Sequence, residues 1–189
     1  MKYGFGVDLG GTTVKIAYFD ETGTMITNWE IPTVTANGGS QILPDIAASI
    51  RDFREKNGID AQALLGIGIG VPGAVVNGVV NRCVNLGWGI VPIEEELSKL
   101  TGLPVKASND ANVAALGEYW VGGGKGSQNV IFITLGTGVG GGILTGGRLL
   151  EGARGLGGEL GHFRTHALDG VFCTCGASGC WERYAATTA

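Results

Sequence analysis

The chain has 189 residues, of which 44% are hydrophobic, and a formal net charge of −4 at pH 7. This composition suffices for one sizeable core or two smaller ones. Because lysine and arginine do not cluster, the sequence lacks the electrostatic footprint of nucleic-acid binding. No segment is apolar for long enough to span a bilayer, and the first residues lack the pattern of a signal peptide. We therefore expect a cytoplasmic protein without nucleic-acid or membrane partners.

The first half of the chain predicts an α/β arrangement. Apolar residues recur at helical spacing between Ser40 and Gly58, which predicts an amphipathic helix. The apolar run that starts at Leu64 is too short and too β-branched for a helix, so it predicts a buried strand. Asn77-Gly78 between valine pairs predicts a tight hairpin. Ahead of these elements, an antiparallel meander of three strands is predicted over residues 3–7, 14–19 and 25–31.

The second half adds a helix between Pro92 and Gly102, a strand over residues 103–107, and a helix from Asp110 to Trp120. The glycine-rich segment 122–127 predicts a break between domains. Residues 129–150 then repeat the N-terminal pattern of strand, glycine turn and strand, which indicates a pseudo-duplicated α/β fold. We expect an N-terminal lobe over residues 1–120 and a C-terminal lobe over residues 121–189.

The first glycine turn joins two predicted strands, whereas the Walker and Rossmann phosphate loops lead into a helix. Glycine lets backbone N–H groups approach a phosphate, threonine hydroxyls add donors, and an aspartate at the strand end suits Mg²⁺ or its waters. The alternative is an ordinary hairpin whose aspartate caps its own turn. The candidate phosphate and metal ligands are Asp8, Gly10, Gly11, Thr12 and Thr13.

A second turn of the same chemistry, Gly136-Thr137-Gly138, lies near the start of the expected second lobe. Two such turns that face each other across a cleft would hold a polyphosphate from both sides. A glycine-rich hairpin without a ligand is the alternative. Because the repetition is more informative than either turn alone, we predict a nucleotide site.

Three of the four cysteines, Cys173, Cys175 and Cys180, lie close together in the sequence, while Cys83 lies in an apolar stretch and is expected in the core. In a reducing compartment this spacing favours a metal over disulfides. Three thiolates and one imidazole make a closed tetrahedral Zn²⁺ site that would order a glycine-rich loop. By spacing alone, both histidines of the chain, His162 and His166, qualify as the fourth ligand. Three buried free cysteines are the alternative.

These motifs occur in a specific order along the whole chain. Two glycine turns, the pair Asn109-Asp110, the segment LGGELGH (156–162) and the segment CTCGASGCWE (173–182) resemble the signature of the ROK family of bacterial sugar kinases and repressors. The resemblance implies the actin-like ATPase (ribonuclease H-like) fold, an α/β fold whose two lobes have mixed sheets flanked by helices. Members of the family are about twice the size of a typical domain. The second lobe is therefore expected to be incomplete, without its adenine-binding part, and this chain to be poorly active.

The resemblance also implies roles for individual residues. Asp110 would be the catalytic base that accepts a proton from a sugar hydroxyl, whereas the local sequence alone favours a helix cap. The family pattern favours His162 over His166 as the zinc ligand. The implied sugar ligands are Gly73, Asn85, Asn109, Asp110, Glu159, His162 and Glu182.

The implied activity is ATP-dependent phosphorylation of a hexose at its 6-hydroxyl, with Mg²⁺ and Zn²⁺ as metals. Residues 180–185, CWERYA, resemble the glucokinase form of the motif, so glucose is favoured over fructose, allose, mannose and N-acetylmannosamine. We also expect a homodimer. A repressor of the same family would need an N-terminal helix-turn-helix, for which a strand that begins by Tyr3 leaves no room. A non-catalytic sugar-binding protein would have lost Asp110 or a phosphate turn.

Overall fold

The computed structural model describes residues 1–166, 168–187 and 189. The chain divides into two compact units, Met1–Asp110 and Ala111–Ala189. The division falls after Asp110, the first residue of the helix that we expected to close the first lobe. This helix packs on the sheet of the second unit, because Gly142 has no side chain and the Ala115 methyl group lies directly against its backbone.

The first unit contains one large sheet and a small hairpin. The large sheet has the order β3-β2-β1-β4-β7, with β1, β2 and β3 as the predicted antiparallel meander and β4 and β7 parallel to β1. The pair β5 and β6 forms the predicted hairpin, in which Asn77 (φ 51°) and Gly78 (φ 76°) adopt the left-handed conformations of a type I′ turn. The strands are β1 (Tyr3–Leu9), β2 (Thr13–Asp20), β3 (Met25–Pro32), β4 (Leu64–Val71), β5 (Val75–Val76), β6 (Val79–Val80) and β7 (Val105–Asn109).

Two helices cover this sheet, preceded by a short turn of helix, α1 (Ala36–Gly39). In α2 (Ile42–Lys56) the apolar residues fall on one face and are buried, as their helical spacing predicts. The second, α3 (Ile93–Thr101), follows Pro92 and ends at Gly102, whose left-handed φ of 69° terminates the helix. The core residues of α2 are Ile42, Leu43, Ile46, Ala47 and Ile50.

The second unit repeats the strand-turn-strand pattern in a three-stranded sheet of order β10-β9-β8. All its strand pairs are antiparallel. The chain enters this unit through α4 (Asp110–Trp120) and, before its last residues, forms the short α5 (Glu182–Ala185). The strands are β8 (Val130–Leu135), β9 (Val139–Thr145) and β10 (Arg148–Leu149). Within the described residues, no helix has both the length and the apolar character needed to cross a membrane.

Candidate active site

The carboxyl ends of β1, β4 and β7 lie at one edge of the first sheet because the three strands are parallel. Asp8 of β1 pairs with Gly70 of β4, and Val71 pairs with Asn109 of β7. Ligands of open α/β sheets bind outside this edge. The strand register therefore brings Asp8, the turn after Val71 and Asp110 to the same edge of the first unit.

The first glycine turn is closed by backbone hydrogen bonds and held by a threonine that the sequence did not reveal. The Gly10 N–H donates to the Thr13 carbonyl at 3.0 Å. Thr33 donates twice, from its N–H to the Thr12 carbonyl at 2.9 Å and from its hydroxyl to the Gly10 carbonyl at 2.7 Å. A Cβ at Gly10 would lie 2.9 Å from the Thr13 oxygen, so the turn requires glycine. The sequence did not indicate this role of Thr33, because a threonine directly after a strand is not a recognisable motif.

The loop that carries Asn85 lies beside this turn. A Cβ added to Gly11 would lie 3.8 Å from the Cβ of Asn85. The same loop contacts the turn after β4, since the Cys83 thiol donates to the Pro72 carbonyl at 3.1 Å and Gly73 lies against the Cys83 side chain. Three predicted ligand positions, Gly11, Gly73 and Asn85, are thus adjacent in the first unit.

Cys83 is buried, as expected for a core residue. Burial raises the pKa of its thiol, and the nearby Asp110 carboxylate adds to this rise. The thiol therefore stays neutral and serves as a hydrogen-bond donor.

The second glycine turn is held by residues that follow the cysteines. The turn is closed by a hydrogen bond from the Gly136 N–H to the Gly138 carbonyl at 2.9 Å. Thr187 donates to the Gly136 carbonyl from both its N–H and its hydroxyl, each at 2.8 Å. On the other side of the turn, the Val139 N–H donates to Oε2 of Glu182 at 3.2 Å. The sequence did not predict these contacts.

The three clustered cysteines and His162 meet in the second unit. Their four ligand atoms all lie within 4.8 Å of one another. The Cys175 and Cys180 sulfurs are 3.6 Å apart, and His162 Nδ1 lies 3.8 Å from the Cys173 sulfur. Ligands of a tetrahedral zinc–thiolate site lie about 3.8 Å apart, since Zn–S bonds are about 2.3 Å long. The donor atoms and their spacing therefore fit Zn²⁺.

The surroundings of Cys180 and of the two histidines bear on how this cluster would hold a metal. Burial raises the pKa of the Cys180 thiol to about 11, so this sulfur needs a neighbouring cation to be a thiolate at neutral pH. His162 Nε2, the ring nitrogen that does not face Cys173, lies 3.9 Å from the Glu159 carboxylate, which could orient the ring. His166 lies outside the cluster, because its Nδ1 contacts the Thr165 hydroxyl at 3.0 Å and its ring packs on Tyr184.

Glu159 and His162 lie on a loop that packs tightly against β9. The His162 N–H donates to the Glu159 carbonyl at 3.2 Å, which forms one short helical turn over Leu160–His162. A Cβ at Gly141 of β9 would lie 2.8 Å from the Gly158 carbonyl oxygen. The glycines of β9 allow this loop and α4 to approach the strand closely.

The predicted site residues are thus divided between the two units. The first unit holds Asp8, Gly10, Gly11, Thr12, Thr13, Gly73, Asn85, Asn109 and Asp110, and the second holds Gly136, Thr137, Gly138, Glu159, His162, Cys173, Cys175, Cys180 and Glu182.

A comparison with protein families decides what these motifs belong to. The protein-family model described as ROK family matches residues 4–189 of this chain. The chain belongs to the ROK family. Its α/β architecture is the actin-like ATPase fold of the ROK sugar kinases, as the sequence motifs implied.

Among curated ROK relatives, a glucokinase of Halalkalibacterium halodurans is 43% identical over 97% of this chain and 56% of its own length. A xylose repressor of Caldicellulosiruptor bescii is 33% identical over 97% of this chain and 46% of its own length. Among solved structures, a ROK family glucokinase from Streptomyces griseus in complex with glucose and AMPPNP is similar to this chain, with a TM-score of 0.80 and 39% identity. The match covers 97% of this chain and 57% of the glucokinase chain. The chain therefore spans about half the length of these relatives.

Proposed function

We propose that this chain carries much of the active site of a ROK hexose kinase that transfers the γ-phosphoryl group of ATP to glucose. The observation that carries the proposal is the position of Asp110. It lies at the sheet edge that also holds Asp8 and the first glycine turn, in a chain that is 39% identical to a glucokinase solved with glucose and AMPPNP. A carboxylate beside a phosphate turn is the arrangement that phosphoryl transfer to an alcohol needs.

In the proposed reaction, Asp110 accepts the proton of the sugar 6-hydroxyl while that oxygen attacks the γ-phosphorus in line and ADP leaves. The backbone N–H groups of the two glycine turns donate to phosphate oxygens, which offsets the charge that develops there. Asp8 would hold Mg²⁺ or its waters. When bound, Mg²⁺ neutralises charge on the phosphates.

The polar side chains that the family resemblance implies as sugar ligands would hydrogen-bond the ring hydroxyls. Their donors and acceptors suit a polyol, and glucose is favoured by the form of segment 180–185. Fructose, allose, mannose and N-acetylmannosamine are the alternatives. The proposed sugar ligands are Gly73, Asn85, Asn109, Asp110, Glu159, His162 and Glu182.

We propose Zn²⁺ as the structural metal of the Cys/His cluster. His162, Cys173, Cys175 and Cys180 would hold it, and it would order the loop that carries Glu159 and leads to Glu182. We further propose that the whole protein is a cytoplasmic homodimer that acts on free sugars without binding nucleic acid.

A sugar-responsive regulator is the second candidate, because one relative is a xylose repressor. The kinase is favoured because the chain keeps both the base and the phosphate turns that only catalysis requires. The two functions predict different results in a single assay of phosphoryl transfer.

The test is a panel of hexoses with ATP, run on the full-length protein and on Asp110→Asn. We expect glucose to be the best substrate and the substitution to lower kcat by about 10²- to 10⁴-fold, the usual contribution of a general base, with little change in glucose affinity. Asp60→Asn is the matched control, since Asp60 caps a short helical turn at the Gln62 N–H and Asn can replace it there.

Undiminished turnover in Asp110→Asn would contradict the assignment of the base. Absence of phosphoryl transfer to every hexose in the wild-type protein would contradict the kinase proposal itself and favour the regulator.

A further inference from the structure

Two residues bond the second glycine turn to the chain that follows the cysteines. Glu182 accepts from the Val139 N–H directly after the turn, at 3.2 Å, and Thr187 donates twice to the Gly136 carbonyl at its start, each time at 2.8 Å. Both residues belong to the segment 182–187, which begins two residues after Cys180. The turn is therefore anchored at both ends by one short segment.

The Glu182 carboxylate lies unusually close to the turn. A Cβ added to Gly138 would lie 2.5 Å from Oε2 of Glu182, so a larger residue there would displace this carboxylate. The other oxygen, Oε1, lies 3.8 Å from the sulfur of Cys173. One half-buried carboxylate thus contacts both the turn and a residue of the Cys/His cluster.

We infer that Glu182 and Thr187 are positioning residues for the second phosphate turn, and that they couple the order of the cysteine loop to nucleotide binding. The inference rests on the proposed role of Gly136-Thr137-Gly138 as a phosphate ligand. Backbone N–H groups bind phosphate well only when their orientation is set in advance, because ordering them during binding weakens affinity. A metal that orders the loop around Cys180 also fixes the start of α5, and thereby Glu182.

This role differs from that of a sugar ligand, since it acts through the Val139 backbone. Its readout is nucleotide affinity in the absence of sugar, together with hydrogen exchange of the Val139 amide. A residue that only binds sugar would change neither quantity.

The experiment compares Glu182→Ala and Thr187→Val in the full-length protein, with a non-hydrolysable ATP analogue as the probe. We expect Glu182→Ala to raise the Kd of the analogue about tenfold, as for loss of a hydrogen bond to a charged group, and Thr187→Val to raise it about threefold. Exchange at Val139 should accelerate in Glu182→Ala by at least the same factor. Thr187→Ser, which keeps the hydroxyl, should restore the wild-type Kd.

Glu118→Ala is the matched control. Glu118 Oε2 accepts from the Gly123 N–H at 2.9 Å, so it makes the same kind of contact with a different glycine turn. We expect this variant to bind the analogue with wild-type affinity. If it weakened binding as much as Glu182→Ala, the effect would reflect general destabilisation and the inference would fail.

Zn²⁺ provides the second arm. Treatment with a chelator should accelerate exchange at Val139 in the wild-type protein, and added Zn²⁺ should reverse this. In Glu182→Ala the same treatment should change Val139 exchange little, because the connection is already lost. If the chelator accelerated Val139 exchange equally in the wild-type protein and in Glu182→Ala, Glu182 would not connect the cysteine loop to the turn, and the inference would fail.

If Glu182→Ala lowered sugar affinity alone, with wild-type exchange at Val139 and wild-type nucleotide affinity, Glu182 would be a sugar ligand and not a positioning residue. Should Glu182→Ala not fold, Thr187→Val decides the question, because Thr187 is no proposed sugar ligand. Failure of the kinase proposal is seen separately, as absence of hexose phosphorylation by the wild-type protein.

Discussion

At the scale of residues, four glutamates of the described chain accept hydrogen bonds from backbone N–H groups: Glu21, Glu94, Glu118 and Glu182. Of these, Glu94 accepts from the Ala107 N–H at 2.9 Å through Oε1 and contacts Lys106 Nζ at 3.1 Å through Oε2. Ala107 lies on β7, an edge strand whose outer N–H groups have no neighbouring strand to bond. Glu94 thus joins α3 to the strand that leads into Asn109.

Replacement of Glu94 by alanine should lower the free energy of unfolding by about 1.5–3 kcal/mol, since it removes a hydrogen bond between a carboxylate and a half-buried backbone N–H. Urea denaturation followed by circular dichroism measures this change. Glu95→Ala is the control: Glu95 pairs only with Lys99 on the exposed face of the same helix, and its loss should leave stability unchanged. Equal changes in the free energy of unfolding for the two substitutions would show that the hydrogen bond to Ala107 contributes no more to stability than the exposed ion pair does.

At the scale of elements, the described residues of the loop between His162 and Cys180 have little regular secondary structure. Its backbone is joined by two isolated bridges, Arg164 with Cys180 and Phe172 with Ser178. A loop with little regular secondary structure and several glycines requires another source of order. The Cys/His cluster supplies that source when a metal binds, because the metal binding free energy offsets the lost conformational entropy.

We therefore expect about one zinc per chain in protein purified without chelator, measured by elemental analysis. Cys175→Ser should lower the zinc content severalfold, because a serine hydroxyl is a poor ligand for this ion. Cys83→Ser is the matched control, since Cys83 is a buried cysteine of the first unit and a serine there can still donate to the Pro72 carbonyl. Absence of zinc from the wild-type protein would contradict the proposal that the Cys/His cluster binds Zn²⁺.

At the scale of the molecule, the main hydrophobic core and the Cys/His cluster belong to different units. The core lies between α2, α3 and the five-stranded sheet of the first unit. The cluster lies wholly in the second unit. The two units therefore draw their stability from different sources, apolar burial in one and, by our proposal, metal binding in the other.

Ile46→Ala tests this division. Ile46 is 0% exposed in the core of the first unit, so the substitution should lower that unit's stability by about 2–5 kcal/mol. Hydrogen exchange should accelerate in β1 and β4, whereas zinc content should stay at its wild-type value. Conversely, a chelator should accelerate exchange over residues 172–182 but not in α2. Loss of zinc on substitution of Ile46 would contradict the division.

The sequence by itself determined most elements of the first unit and the three cysteines of the Cys/His cluster, because these depend on local patterns. Helical spacing located α2, Asn77-Gly78 located the hairpin, and close spacing identified Cys173, Cys175 and Cys180 as a group. The family and its fold followed from the order of the motifs, and both were confirmed.

Only the tertiary structure decided the contacts between segments distant in the sequence. It brought His162, which the family pattern had favoured and spacing had left open, to the cysteines. It also assigned α4 to the second unit through the contact of Ala115 with Gly142, and revealed Thr33 and Thr187 as anchors of the two turns. Such contacts depend on strand register and on how closely backbones approach each other. No local pattern encodes these quantities, since the partners are brought together by packing and not by spacing along the chain.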